Sequence, residues 1–231
     1  MKQIELAEAL VGRNISFTAH QFAQLELYQT LLSEWNQRMN LTAIIDADEV
    51  REKHFLDCLL LVPLVKEAKS LVDVGSGAGF PAIPLAIALP ELSIAMVEPI
   101  GKRTMFLNEV VKQLGLKNAI VFNERAEEFV QRKILYDVAT ARALAALPIL
   151  LELCAPLVKT NGIVIAMKGS SALEELASSK RAMEILSLKV KEIQKEVLPS
   201  AGIRYNIVMD KTKNTPIGYP RNYSQIKKKP L

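Results

Sequence analysis

Between Leu71 and Ile87 the chain reads LVDVGSGAGFPAIPLAI, an apolar strand that enters a glycine-rich turn and leaves as an apolar helix. Glycines 75, 77 and 79 lack Cβ atoms, so the backbone there can turn sharply and approach a ligand closely. A turn of this kind belongs at the carboxyl end of a parallel strand, where open α/β sheets bind their ligands. A dinucleotide fingerprint places its third glycine one residue later, where Phe80 stands. A phosphate-binding P-loop needs Gly-Lys-Ser/Thr, which is missing. The turn therefore fixes the fold class and leaves the cofactor to be read from its neighbours.

From about Ser70 short apolar strands alternate with helices. Strands are expected at Leu71–Gly75, Ser93–Glu98, Ala119–Asn123, Tyr136–Thr140 and Ile163–Met167. Helices are expected over Phe80–Leu89, Lys102–Leu114, Ala126–Lys133, Leu147–Val158 and Ser171–Leu186. This alternation implies a mainly parallel sheet covered on both faces. Two further strands, Lys189–Val197 and Arg204–Met209, have only a turn between them and should pair antiparallel at one sheet edge. The whole predicts a seven-stranded mixed sheet. Residues 1–65 read as an all-helical lobe, and 66–231 as the α/β domain with a basic tail. Phe22, Leu25, Tyr28, Leu31, Leu32, Trp35 and Met39 recur at helical spacing, with Thr18 as cap and Asn40-Leu41-Thr42 as break. A second helix is expected over about 48–64.

Half of the 231 residues are apolar and the net charge is +4, which permits an anionic partner without requiring one. The distribution says more: after Asp210 there are six bases and no acid. Cys58 and Cys154 sit in apolar runs without metal-site spacing, so they read as buried free thiols, and no metal is expected. No apolar run is long enough to span a membrane, and MKQIELAEAL does not read as a signal peptide. A cytoplasmic protein is expected.

Two acids select the cofactor. Asp73 ends the first strand beside the glycine turn, where a carboxylate can anchor loop amides and a cationic amino-acid moiety. Glu98 follows the second strand, where two acceptor oxygens suit two ribose hydroxyls, although an exposed loop acid is the plainer alternative. Together they point to S-adenosylmethionine rather than NAD or ATP. Phe80 can wall the pocket or merely pack in the core. After the third strand, Ala126 permits close approach of an adenine edge. Glu127 can act through its backbone, or serve only as an acid in a first helical turn. Arg142, at the end of the fourth strand in an apolar stretch, can meet a carboxylate, a phosphate or a guanine O6/N7 edge, or can simply snorkel to the surface. His54 and Asp57, three residues apart, share a helix face, so the acid can orient the ring. The fourth strand has no Asp/Asn-Pro-Pro-Tyr/Phe for exocyclic amines and no Pro-Cys for carbon methylation. If the substrate is nucleic acid, guanine N7 fits best: its in-plane lone pair needs alignment, not a general base.

The chain resembles the RsmG/GidB family of 16S ribosomal RNA guanine-N7 methyltransferases over nearly its whole length. The matching segments are Asn40-Leu41-Thr42, His54-Phe55-Leu56-Asp57, the Asp73–Pro81 turn, Lys102-Arg103 with Phe106-Leu107, Arg125-Ala126-Glu127, Thr140-Ala141-Arg142-Ala143, Met167-Lys168-Gly169 and Tyr219-Pro220-Arg221. The resemblance implies a class I (Rossmann-like) methyltransferase fold with an N-terminal helical lobe. It also implies S-adenosylmethionine binding by Gly75, Phe80, Ala126, Glu127 and Arg142, with Arg142 the residue at the reacting centre. The implied product is 7-methylguanosine in the 530 loop, and the implied partner is 16S rRNA or the small ribosomal subunit. Lys102, Arg103, Lys168 and Arg221 become candidates for the RNA-facing surface. A monomer is expected. Ala82 and Cys58 depart from the family pattern by small changes, and the tail after Arg221 departs more. Two other readings stay open: a class I methyltransferase for another RNA or a small molecule, and a noncatalytic RNA-binding module.

Overall fold

The computed structural model describes residues 1–231. Its N-terminal segment holds α1 (Gln3–Val11), α2 (Ala19–Met39), α3 (Ala47–Val50), a π-helical turn (Arg51–Leu56), α4 (Asp57–Leu59) and α5 (Val62–Val65). Thr18 caps α2 reciprocally with Gln21, the hydroxyl accepting from the Gln21 amide at 3.2 Å and the Gln21 side chain accepting from the Thr18 amide at 2.8 Å. The helix ends where Asn40 turns left-handed at φ +49°, and the Asn36 side chain then holds the backbone of Thr42. The expected continuous helix over 48–64 is instead broken into α3, the π-turn, α4 and α5. The π-turn sits where the segment meets the sheet.

The α/β part runs β1 (Ser70–Val74), α6 (Ala82–Ala88), β2 (Ser93–Val97), α7 (Gly101–Gln113), β3 (Ala119–Phe122), α8 (Ala126–Phe129), β4 (Tyr136–Arg142), α9 (Leu147–Cys154) and β5 (Val158–Lys168). There follow α10 (Ala172–Ser178), α11 (Lys180–Ile185), β6 (Leu188–Leu198), β7 (Gly202–Lys211) and α12 (Tyr223–Lys228). The seven strands lie in the order β3-β2-β1-β4-β5-β7-β6. Strands β1 to β5 are parallel, and β7 runs antiparallel between β5 and β6. The expected helix over 171–186 divides at buried Ser179. Strand β4 continues two residues past its expected end, carrying Arg142 within the sheet.

Alternate strand residues feed two apolar layers. One contains Val72, Val74, Ala139, Ala141 and Ile207 with α9 and Ile226 of α12. The other contains Leu71, Val138, Met167 and Val208 together with α1, α2 and the π-turn. The N-terminal helices therefore share a core with the lobe-side face of the sheet. Tyr28, Phe55, Phe80, Phe106 and Trp35 stack through this junction at centroid spacings of 5.4–6.5 Å. The tail is more ordered than its charge suggests: Asn222 caps α12 and Ile226 is fully buried. No helix is long and apolar enough to cross a membrane, and no cluster of His, Cys, Asp or Glu is arranged to hold a metal.

Candidate active site at the carboxyl edge of the sheet

The glycine turn hangs from the end of β2. The Gly75 and Ser76 amides donate to the Val97 carbonyl at 2.8 and 3.3 Å, and the Gly77 amide donates to Glu98 Oε2 at 2.8 Å. Gly75 and Gly79 adopt φ of +71° and +98°. A Cβ on Gly75 would lie 2.5 Å from Leu144 Cδ1, and one on Gly79 would lie 3.1 Å from the Tyr28 hydroxyl. Both positions therefore need glycine for conformation and for space. Tyr28 also clamps the turn, its hydroxyl donating to the Ala78 carbonyl at 2.6 Å.

Glu98 is only 1% exposed, so the exposed-loop alternative is wrong. Its Oε1 accepts from the Ile100 amide at 2.9 Å, and Arg103 Nη1 stands 3.8 Å from Oε2. Each oxygen keeps a further lone pair for a ligand hydroxyl. Asp73 is completely buried. Its Oδ1 accepts from the Thr140 hydroxyl at 3.1 Å, while Oδ2 has no partner at all. Burial pushes this carboxyl up to about 7. A buried acceptor without a donor, beside a glycine turn that is itself only partly buried at Gly75 and Gly77, suits a bound cationic amine; the residues thus fit S-adenosylmethionine. Ala126 is buried and Glu127 half-buried in the first turn of α8. Neither borders the cavity of about 180 Å³ that Gly75, Gly77, Phe80, Arg103, His54, Arg142 and Ala143 help to line.

Arg142 does not snorkel to the surface. Its Nη1 donates to the Lys53 carbonyl at 3.2 Å and to Asp57 Oδ2 at 3.1 Å, and its Nη2 lies 3.0 Å from His54 Nδ1. Its guanidinium carbon also sits 4.8 Å from the centroid of the Phe80 ring. Phe80 in turn stacks on His54 at 4.3 Å, so it both walls the cavity and packs in the core. Burial, reinforced by Arg142, drives His54 down to about 3. The ring is neutral at pH 7. With Nδ1 accepting from arginine, Nε2–H donates to the Thr42 hydroxyl at 3.1 Å. The expected Asp57–His54 orientation does not occur: both residues hold Arg142 instead. Two of the five Arg142 N–H groups, one on Nη2 and one on Nε, remain free.

A second cavity, of about 390 Å³, opens on the other side of Arg142 between the π-turn and the ends of β4, β5 and β7. It shares His54, Arg142 and Ala143 with the first. Its wall includes Asp57, Lys168, Arg204 and Asn206. Ala143, at φ +52°, makes the bend between the two.

The basic candidates separate in space. Lys102 is exposed and reaches the Met39 carbonyl at 3.3 Å, and Arg103 faces the smaller cavity. Lys168 lines the larger cavity, but its ammonium is held at 2.7 Å by both Glu175 and the Ala145 carbonyl. Arg221 sits apart from both. Its Nε and Nη2 bind fully buried Glu152 at 2.8 and 2.6 Å, making it a clamp for the tail instead of a free cation. Sequence reading missed Tyr28, Lys53 and Arg204. Tyr28 lies in the apolar stripe of α2, the Lys53 contribution is a carbonyl, and Arg204 is one charge in a polar edge strand. None has a local pattern to mark it.

Residues 21–203 match the family described as GidB, rRNA small subunit methyltransferase G. The chain belongs to that family. It is 43% identical over 239 residues to a ribosomal RNA small subunit methyltransferase G of Acetivibrio thermocellus, covering 100% of this chain and 98% of that one. With its counterpart from Geobacillus thermodenitrificans it shares 42% identity over 237 residues, covering all of both. Among solved structures, a ribosomal protein L11 methylase from Lactobacillus delbrueckii subsp. bulgaricus superposes with a TM-score of 0.53 at 16% identity, over 70% of this chain and 79% of that one. M. jannaschii TYW2 in complex with AdoMet gives 0.54 at 16% identity, over 73% and 77%. The fold of this GidB-family chain is that of the class I, Rossmann-like S-adenosylmethionine-dependent methyltransferases.

Proposed function

We propose that this protein transfers a methyl group from S-adenosylmethionine to N7 of a guanosine in the 530 loop of 16S rRNA. The observation that carries the reading is the pair of adjoining cavities, one under the glycine turn and one beside it, with Arg142, His54 and Ala143 as their common wall. Two cavities that share a wall can hold a methyl donor and its acceptor side by side, the proximity that a displacement at carbon needs.

The bound cofactor supplies an electrophilic methyl on a sulfonium. The chain supplies placement. Gly75 and Gly77 would present backbone to the ligand, with Asp73 behind the turn as the carboxylate for its ammonium and Glu98 as the acceptor for its ribose hydroxyls. Ala126 and Glu127, which lie outside the cavity, would meet the adenine only where the ligand extends beyond it along the sheet edge. Arg142 uses its two free N–H groups at the boundary, on the ligand carboxylate or on guanine O6. Guanine N7 would bond to the methyl carbon through its own in-plane lone pair as the carbon–sulfur bond breaks and S-adenosylhomocysteine leaves, so no residue has to remove a proton first. His54 could not serve as base, because a ring held down to about 3 accepts a proton poorly and both its nitrogens are engaged, Nδ1 by Arg142 and Nε2 by Thr42. Lys102 and Arg103, on the rim, meet RNA phosphates. Lys168 shapes the acceptor wall, and Arg221 contributes by fixing the tail. The guanine must be unpaired or flipped out to enter the larger cavity. The protein acts as a monomer in the cytoplasm.

The test is transfer of labelled methyl to undermodified small subunits and to stripped 16S RNA in parallel, with the product nucleotide mapped. Formation of 7-methylguanosine in the 530 loop is expected. Label that appears only in small metabolites, or at another ring atom, overturns the reading.

A further inference from the structure

The wall of the larger cavity is electrically unbalanced. Four of its side chains are cationic: Lys53, Arg142, Lys168 and Arg204. Lys53 is paired with Glu49, and Lys168 with Glu175. Asp57 alone faces both remaining guanidinium groups, with Oδ2 3.1 Å from Arg142 Nη1 and Oδ1 3.8 Å from Arg204 Nε. His54 adds no charge, since it is neutral. One positive charge is therefore left over, in a recess where solvent screening is weak.

That charge belongs to Arg204. Arg142 is committed to three partners from the N-terminal helices. The side-chain hydrogen bonding of Arg204 is limited to one bond, from Nη1 to the carbonyl of its own neighbour Ile203 at 3.2 Å. Its remaining N–H groups are free, and its side chain is 29% exposed, so it stands at the mouth of the cavity and not in the floor. Nη1 also lies 4.0 Å from the Cβ position of Gly169, on the facing turn after β5, so a side chain there would begin to close the approach. A planar fork of free donors, held from behind by a buried carboxylate, suits an anion with two coplanar oxygens.

We propose that Arg204 is an acceptor-binding residue that receives the phosphodiester of the RNA nucleotide entering the larger cavity, with Asp57 as the residue that positions it. The inference rests on the methyltransferase reading above and adds a site to it. A nucleobase inserted past Gly169 leaves its backbone phosphate at the mouth, where the Arg204 guanidinium stands with most of its N–H groups free. Because Asp57 also holds Arg142, one carboxylate from the N-terminal helices ties the acceptor side of the site to its boundary with the cofactor.

The alternative anion is the carboxylate of the cofactor's amino-acid moiety, and the experiment separates the two. Arg204→Met and Arg204→Lys are compared with the wild type in three measurements. These are binding of fluorescently labelled undermodified small subunits across a salt series, KM for those subunits, and calorimetric affinity for S-adenosylmethionine. Arg204→Met is expected to weaken subunit binding and raise KM about tenfold, while cofactor affinity stays within about twofold. It should also lower the log-log salt slope by about 0.7–0.9, the value for one phosphate. Arg204→Lys, which keeps the charge, should retain the slope and lose less affinity. Unchanged subunit affinity and slope in a folded Arg204→Met protein overturn the inference. So does a fall in cofactor affinity with subunit binding intact. Wild-type protein that binds subunits but transfers no methyl to them overturns the proposed reaction, while the binding arm still decides the Arg204 contact.

Discussion

Replacing Asp57 by alanine tests the network at the centre of the site. The carboxylate and the Arg142 guanidinium are both largely buried, with side-chain exposures of 6% and 16%, at a separation of 3.1 Å. Burial raises the Asp57 pKa, and Arg142 and Arg204 pull it back only in part, so the pair stands close to the desolvation limit. Removing one member of such a pair costs about 3–5 kcal/mol, because the other charge stays buried. Arg142 keeps the Lys53 carbonyl and His54, and the adjoining cavity admits water, which places Asp57→Ala at the low end, about 3 kcal/mol. In a chain of this size that corresponds to a Tm lower by about 6–12 °C. The assay is denaturant and thermal unfolding of Asp57→Ala, Arg142→Met and the double variant. Two single losses that fail to add, with a coupling of about 2 kcal/mol, are expected for groups in contact. Strict additivity, or a loss below about 1 kcal/mol for Asp57→Ala, refutes the pairing as a stabilising element. Because Arg142 is itself buried, its truncation should lower stability together with methyl transfer.

Other variants probe other parts of the molecule. The folded protein keeps a proton on Asp73 up to about 7, against about 3.9 in an unfolded chain, so Asp73 makes stability fall as pH climbs between those values. His54, held down to about 3, works oppositely and removes stability as pH drops below about 6.5. The two offset each other in the wild type, and Asp73→Asn should leave a stability that rises with pH from about 3 to 6.5; a flat or falling profile by denaturant titration defeats the assignment. Gly75→Val forces a β-branched residue to φ +71° and into Leu144, and calorimetry should show S-adenosylmethionine affinity reduced more than tenfold; full affinity in a folded variant removes the turn from the cofactor site. Ile226→Ala empties a fully buried position under α12 and should cost about 2–4 kcal/mol, with faster hydrogen exchange confined to the tail. Uniform exchange behaviour would show that the tail does not dock independently.

The sheet was legible because its parallel strands are short apolar runs separated by helices, a pattern set by burial on both faces. The antiparallel end pair was legible because a turn replaced a helix between residues 198 and 202. Asp73, Glu98 and the glycines were also readable, since a strand end followed by a turn fixes what lies at the edge. The partners of Arg142 were not. Asp57 and His54 approach it across 85 and 88 residues of sequence, through a π-turn whose phase no helical periodicity anticipates. Lys168 and Arg221 show the opposite failure. Their charges were visible, but their pairing was not: Glu175 meets Lys168 across the turn into α10, seven residues on, and Glu152 meets Arg221 across 69 residues.

The aromatic stack from Trp35 to Phe80, with Tyr28 bolting the glycine turn to α2, bears on how a substrate gains entry. Swinging the N-terminal helices away would tear open the main core, a price far beyond what a transient encounter supplies. The enzyme therefore meets its target as a rigid die. Distortion falls on the nucleic acid, and loops that already bulge, or rRNA not yet settled into its final tertiary contacts, should be engaged most readily.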